Sequence, residues 1–334
     1  MYKAELNNFF DNNEFSGSLL KSSQTMAGTH IAPQIGVGFG KKHKILAGLD
    51  IMHEWGSNKI VDFTSIIAYY EYSGKYFRFS AGAFPRKERL DKYPKMFFQD
   101  SINNYRPTVN GVFWEFAHRK NYLNVWLDWT GRQSPTRHEA FFMGWSGRYN
   151  YKMLYVQHFG YMFHYASRMS PNHDPVIDNG LILTQLGIDL AKITGLNQLE
   201  TNLGWSAGLD RERGAGGWHT PQGLLWETKV EYRGLELNNS YYRGKGQQTF
   251  YAQHGNDLYW GEPLYRSTEY NKLDLILHFF KSNIVNIKFV YSFHFVEKQL
   301  FQQQSLYATF KLDNFSKKNK EKYLYLWDRW FGLR

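Results

Sequence analysis

Hydrophobic and polar residues alternate along most of this chain, and the alternation has a period of two. Between Glu200 and Asp210, Thr201, Leu203, Trp205, Ala207 and Leu209 fall on one side. Glu200, Asn202, Gly204, Ser206, Gly208 and Asp210 fall on the other. Pleating sends two such sets to opposite faces of a sheet. A helix would spread the apolar residues around its whole circumference, so the segment reads as a strand. Ile31, Ile35, Val37 and Phe39 oppose Gln34, Gly36 and Gly38 in the same way. Ile287, Phe289, Tyr291 and Phe293 oppose Asn286, Lys288, Ser292 and His294.

Followed from end to end, the pattern predicts sixteen strands. They lie near 3–9, 28–39, 44–55, 60–73, 76–84, 107–118, 122–132 and 136–149, then near 153–164, 180–191, 198–210, 222–233, 235–243, 268–280, 284–296 and 301–312. Three of them (60–73, 107–118 and 153–164) alternate poorly, and their faces stay unassigned. The connections alternate in length. Short ones carry turn and basic residues, as in Lys41-Lys42-His43, Arg119-Lys120-Asn121 and Lys281-Ser282-Asn283. Longer ones lie between them, at 11–27, 85–106, 165–179, 211–221 and 244–267, although 56–59, 133–135 and 297–300 on that side are short.

Aromatic positions add a second regularity. Phe39, Tyr69, Tyr149, Tyr232 and Phe279 sit just inside short turns, and Trp55, Phe84, Trp129 and Phe295 near the long connections. Two such bands are expected where a barrel meets the two membrane surfaces. Composition agrees. Mean hydropathy is −0.55, yet 18% of the 334 residues are aromatic, and no run approaches the ~20 apolar residues of a membrane helix. A soluble β-sandwich also alternates, but it explains the bands and the unequal rims less well. The reading is an all-β, antiparallel transmembrane barrel over residues 1–313, with a basic and aromatic tail over 314–334. A barrel must be exported to a bacterial outer membrane, so an export signal is expected to have been removed before Met1.

In strand count, rim asymmetry and a long third outer loop, residues 3–312 resemble the sixteen-stranded porins of bacterial outer membranes. The likeness is architectural. Segments such as Asp128-Trp129-Thr130-Gly131-Arg132-Gln133 look like family signatures without carrying an activity, and the last strand runs on into a tail. The resemblance implies a channel for small polar solutes whose third loop folds inward.

On that reading the polar faces line the lumen. They contribute Arg78, Asp128, Arg132, Arg148, Glu200, Asp210, Glu227, Lys229, Arg233, Lys272 and Lys288. The third loop brings Arg86, Lys87, Arg89, Lys92, Lys95 and Arg106 against Glu88, Asp91 and Asp100, an excess of positive charge expected to favour anions. The overall charge of +10 has no nucleic-acid motif behind it. Partners are therefore expected to be membrane lipid, small solutes and, through the tail, a second copy or an envelope protein.

An enzyme is the rival class. A lipid hydrolase needs a serine, a histidine and an orienting polar group near the outer rim. The strand pairs Ser292/His294 and His158/His164 lack a nucleophile-elbow sequence, so no catalytic residue is assigned and no enzymatic role is expected. No cysteine is present. His158 and His164 stand three pleats apart, and the spacing of Asp210 and Glu212 fits no calcium loop, so neither metal nor cofactor is expected. An accessory barrel in an envelope complex is the third reading. It rests on the tail, where Tyr323, Leu326, Trp327 and Trp330 would form one stripe of an amphipathic helix.

Overall fold

The computed structural model describes residues 1–169, 175–314, 323, 325 and 326. Its strands are β1 (Tyr2–Glu14), β2 (Gln24–Phe39), β3 (His43–Glu54), β4 (Phe63–Ser73), β5 (Phe77–Pro85), β6 (Thr108–His118), β7 (Asn121–Gly131) and β8 (Ala140–Tyr151). They continue as β9 (Leu154–Tyr165), β10 (Ile177–Asp189), β11 (Gln198–Glu212), β12 (Gln222–Tyr232), β13 (Leu235–Gly244), β14 (Glu269–Lys281), β15 (Val285–Val296) and β16 (Gln299–Asp313). Short helices α1 (Ile102–Tyr105), α2 (Ala191–Thr194) and α3 (Tyr251–Leu258) lie in connections. Each strand pairs antiparallel with its sequence neighbours, and β1 closes on β16. Closure leaves no strand edge unpaired, as a lipid environment requires.

The sixteen expected strands are the sixteen observed. The main differences lie at the outer tips, where β1 runs on to Glu14 and β2 starts at Gln24, so the first outer loop is shorter than expected. The short outer connection between β15 and β16 has a local cause. Glu297 and Lys298 both hold positive φ (56° and 59°), the backbone of a two-residue hairpin turn whose twist matches the strands.

Ile31, Ile35, Val37, Phe39, Leu203 and Trp205 are exposed on the outer wall as their phase predicts. Among the girdle residues, Tyr69 and Phe84 are a correction. Both are buried inside the barrel, where their rings meet edge to face at 6.2 Å.

The reason also explains the three poorly alternating strands. Their inward faces are apolar: Ile67 and Tyr69 on β4, Val109 and Phe113 on β6, Phe159, Tyr161 and Phe163 on β9. The third outer loop, 86–107, folds into the lumen and lays Leu90, Tyr93, Met96, Phe97 and Phe98 against this wall. A further outer connection adds Tyr259, Trp260, Leu264 and Tyr265. Part of the barrel therefore encloses a hydrophobic core, and a strand buried on one side by core and on the other by lipid has no reason to alternate. The two loops also join through their backbones, Gln99 N–H to Trp260 O (2.8 Å) and Glu262 N–H to Lys95 O (2.8 Å).

Of the tail, the described residues fold back onto the short-turn rim. The Tyr323 hydroxyl accepts from Gly234 N–H (2.9 Å) and donates to Glu231, the Tyr325 hydroxyl accepts from Lys281 N–H, and Leu326 N–H meets Arg233 O (3.0 Å). Of the expected helical stripe, Trp327 and Trp330 lie outside the described residues.

Candidate functional site

Two sites compete, one inside the barrel and one on its outer wall. Inside, the third loop is clamped by ion pairs. Arg86 lies against Asp128 of β7, Arg89 donates to Glu71 of β4 (2.7 Å), Lys3 of β1 meets Glu88, and Lys92 stands 3.7 Å from Glu115 of β6. Arg106 stacks on Trp260 at 4.4 Å. The loop's positive excess is thus largely matched by partners in the barrel wall. Lys87 (3.8 Å from Glu5) and the Lys95–Asp100 pair are left beside open space.

That open space runs along the opposite, polar wall. A cavity of about 550 Å³ at the outer mouth and one of about 710 Å³ below it both border Asp100 and Gln303. The larger one is lined by Arg148, Glu200, Glu227, Lys229, Lys272 and Lys288. Arg148 pairs with Glu200 (2.9 Å), and Glu227 accepts from Gln185 (2.8 Å). Arg78 borders a cavity of about 600 Å³ at the short-turn rim and bonds Glu71 (3.0 Å). Asp128 and Asp210 point inward but are consumed, Asp128 by Arg86 and Asp210 by Asn179 (2.7 Å) and the Thr249 N–H (3.1 Å). Two expected lining residues are corrections. Arg132 lies beyond the end of β7, where a bulge between Trp129 and Gly131 ends the regular phase, and Arg233 sits half-buried in the β12–β13 turn at φ 49°.

On the outer wall, a row of polar side chains crosses β1, β2 and β3 at positions that the alternation assigns to lipid. Asn8 pairs in register with Thr29, and Thr29 with His53. Such partners on one face carry Cβ atoms ~5 Å apart. Their neighbours Phe9, His30 and Met52 are buried inward, which fixes the phase. Glycine at 28 keeps these strands close, because a Cβ there would lie 2.9 Å from the His53 carbonyl oxygen and 3.0 Å from the Phe9 ring.

The Thr29 hydroxyl donates to Asn8 Oδ1 (2.7 Å) and accepts from Trp55 Nε1–H (3.0 Å). Behind His53, in the connection leading to β4, Asp62 Oδ2 lies 3.6 Å from Nδ1. Asp62 is held below the usual carboxylate range by the Ser57 hydroxyl (2.5 Å) and then by the Glu54 N–H (2.8 Å), with His53 adding to the effect. Toward the hairpin tip the row continues, with Thr25 donating to Asn12 Oδ1 (2.7 Å) and Asn12 Nδ2–H to Gln304 and Glu14 (both 2.8 Å). Polar groups facing hydrocarbon cost free energy. Pairing these side chains with one another lowers that cost.

Sequence reasoning missed this row because it sought a serine and a histidine within one strand. The signal was present as polar residues in the lipid-facing phase of three successive strands. The pairs it did weigh lie elsewhere. Ser292 and His294 face the lumen, bonded to Asp274 (2.6 Å) and to Tyr270 (2.8 Å) and Gln303 (3.1 Å). His158 and His164 share the outer wall, but His158 bonds Thr184 (2.8 Å) and His164 stands 3.4 Å from an Asp178 already held by Arg213. No group of three metal-binding side chains occurs among the described residues.

Solved structures similar to this fold are outer-membrane proteins. A loop-deletion mutant of OmpT, an outer membrane protein of Vibrio cholerae, matches at a TM-score of 0.55 and 7% identity, over 93% of this chain and 98% of that one. A double mutant of OccD1 (OprD) matches at 0.53 and 8%, over 93% and 94%. A mutant of the Rh. blastica porin matches at 0.52 and 10%, over 93% and 99%. At such identities they show the fold: a sixteen-stranded barrel of the outer-membrane class. The model of the lipid A 3′-O-deacylase-type family matches residues 2–319, and the chain belongs to that family. No curated protein matches. Membership in an enzyme family overturns the expectation of a barrel without an enzymatic role.

Proposed function

We propose that the protein is an ester hydrolase that removes an O-linked acyl chain from a lipid A-type glycolipid of the outer leaflet. The observation that carries this reading is the register pairing of Thr29 with His53 on the lipid-facing wall, with the ionised Asp62 behind the imidazole. A lipid ester can reach this row by lateral diffusion, without entering the lumen.

The hydroxyl of Thr29 already gives its proton to Asn8, so water is the better nucleophile. His53 accepts a proton from that water as it attacks the ester carbonyl, and Asp62 stabilises the resulting imidazolium. The Asn8 amide can donate to the oxyanion. Collapse breaks the acyl C–O bond, and His53 returns the proton to the sugar oxygen. The products are a fatty acid and a free hydroxyl.

The test is mass spectrometry of lipid A incubated with the full chain in detergent. One acyl chain should be lost, and His53→Ala should slow the loss by at least ~100-fold. Intact lipid A with the wild-type protein, or an unchanged rate in His53→Ala, defeats the proposal.

A second reading is favoured by the adjoining cavities. Those of about 550 and 710 Å³ share Asp100 and Gln303, which supports slow diffusion of small polar solutes along the polar wall. It is compatible with the first, since the two sites lie on opposite faces of the wall. Because Arg86, Lys87, Arg89 and Lys92 of the loop are matched by wall carboxylates, little anion preference is expected. Conductance in planar bilayers with a salt gradient checks this, and Lys95→Gln with Lys288→Gln should shift the reversal potential toward cations. A sealed barrel would end this reading alone.

A further inference from the structure

We propose that the connection between β3 and β4, residues 55–62, enters the outer leaflet and holds an acyl chain of a lipid beside His53. This deepens the hydrolase reading, to which it adds the contact on the acyl side, but insertion itself is read without any turnover.

The exposure of apolar side chains in this connection carries the argument. Ile60 is 91% exposed, Trp55 53% and Val61 43%. One such side chain on a surface is ordinary, whereas three in a single short connection present water with apolar area that it disfavours. The loop is not free to refold over them, because its backbone is pinned at both ends. Trp55 N–H donates to Ala27 O (2.9 Å), Ser57 N–H to Glu54 O (3.1 Å) and Asp62 N–H to Met52 O (2.9 Å). Within the loop, Asp62 accepts from the Ser57 hydroxyl (2.5 Å), whose oxygen accepts from Lys59 N–H (3.1 Å).

Both ends of the connection turn toward lipid. The Trp55 indole donates to Thr29 on the outer wall (3.0 Å), and the Asp62 carboxylate stands 3.6 Å from the His53 imidazole. Beside them the wall is apolar. Ile31 pairs in register with Ile51 and Leu49 with Ile66, and Ile31, Leu49 and Ile66 are exposed. The loop therefore continues the lipid-facing surface of the barrel, and hydrocarbon is the partner that its isoleucine and valine favour.

Charge agrees. Lys59 is the connection's one cation and Asp62 its one anion. A lysine stem can keep its ammonium among headgroups while the neighbouring Ile60 enters the acyl layer. The hairpin between β1 and β2 offers a contrast. Leu19 there is 89% exposed, but it borders the cavity at the outer mouth. The two residues are equally bare, and of the two Ile60 lies on the lipid side.

The experiment exploits the absence of cysteine from the chain. Ile60→Cys and Leu19→Cys each take a single NBD label, and the labelled full chains are folded into phosphatidylcholine vesicles containing lipids spin-labelled high on the acyl chain. The probe at position 60 should emit to the blue of the probe at position 19 and be quenched several times more strongly. The double variant Ile60→Ser with Val61→Ser should raise KM for lipid A by at least ~10-fold rather than lower kcat, because it removes acyl contacts and not the groups at the ester. An inactive wild type with a quenched probe at position 60 would defeat the hydrolase reading and support this one. Equal quenching at the two positions, or an unchanged KM in an active double variant, overturns it.

Discussion

The guanidinium of Arg86 on the third loop lies against the carboxylate of Asp128 on β7, and the two side chains are only 2% and 1% exposed. Arg86 also donates to the carbonyls of Arg106 (2.9 Å) and Thr108 (3.2 Å), while Asp128 accepts from the Asn110 N–H (2.9 Å). One ion pair thus ties the root of the loop to the wall it covers.

A buried charge left alone costs far more than a pair removed together. Asp128→Ala should lower the unfolding free energy in detergent by roughly 3–5 kcal/mol, whereas Arg86→Met with Asp128→Leu should cost much less. Urea titration of the three proteins checks this. Equal losses in the single and double variants would mean that the pair does not hold the loop.

Acid should loosen the same loop at its other anchor. Burial pushes the Glu88 carboxyl up, but Lys3 and Arg89 outweigh it and hold it at about 2. A depressed carboxylate stabilises the fold above its unfolded value of ~4.3, and the contribution disappears as pH falls through the folded value. Between ~4.3 and 2 the wild type should lose on the order of 3 kcal/mol. Glu88→Gln should lose less over that window, as read by denaturant midpoints at each pH. Parallel curves for the two proteins would refute the assignment.

The outer wall can be probed near the middle of β11. Leu203 is 54% exposed to the membrane side, whereas Asn202 turns inward and donates to the Tyr155 hydroxyl (3.2 Å). Arginine at Leu203 should cost ~2–4 kcal/mol and arginine at Asn202 substantially less, because the lumen offers water and counter-charges. Refolding titrations into lipid vesicles measure both. Similar costs would reverse the register of the strand.

Strand number, closure and most lipid-facing positions were legible in the sequence, because a strand between water and lipid must alternate and a turn must carry turn residues. Residues such as Ile35, Leu203 and Trp205 announce their face by themselves. What the sequence could not show was where alternation fails for a reason. Tyr69, Phe84 and Phe159 are apolar and inward because a loop some ten to seventy residues distant in sequence folds onto them, and no local pattern encodes that contact. The same holds for the sites. Thr29, His53 and Asp62 lie on two strands and a loop. Local alternation determined which way each side chain turns. Strand register and loop burial, which are long-range, decided which side chains meet.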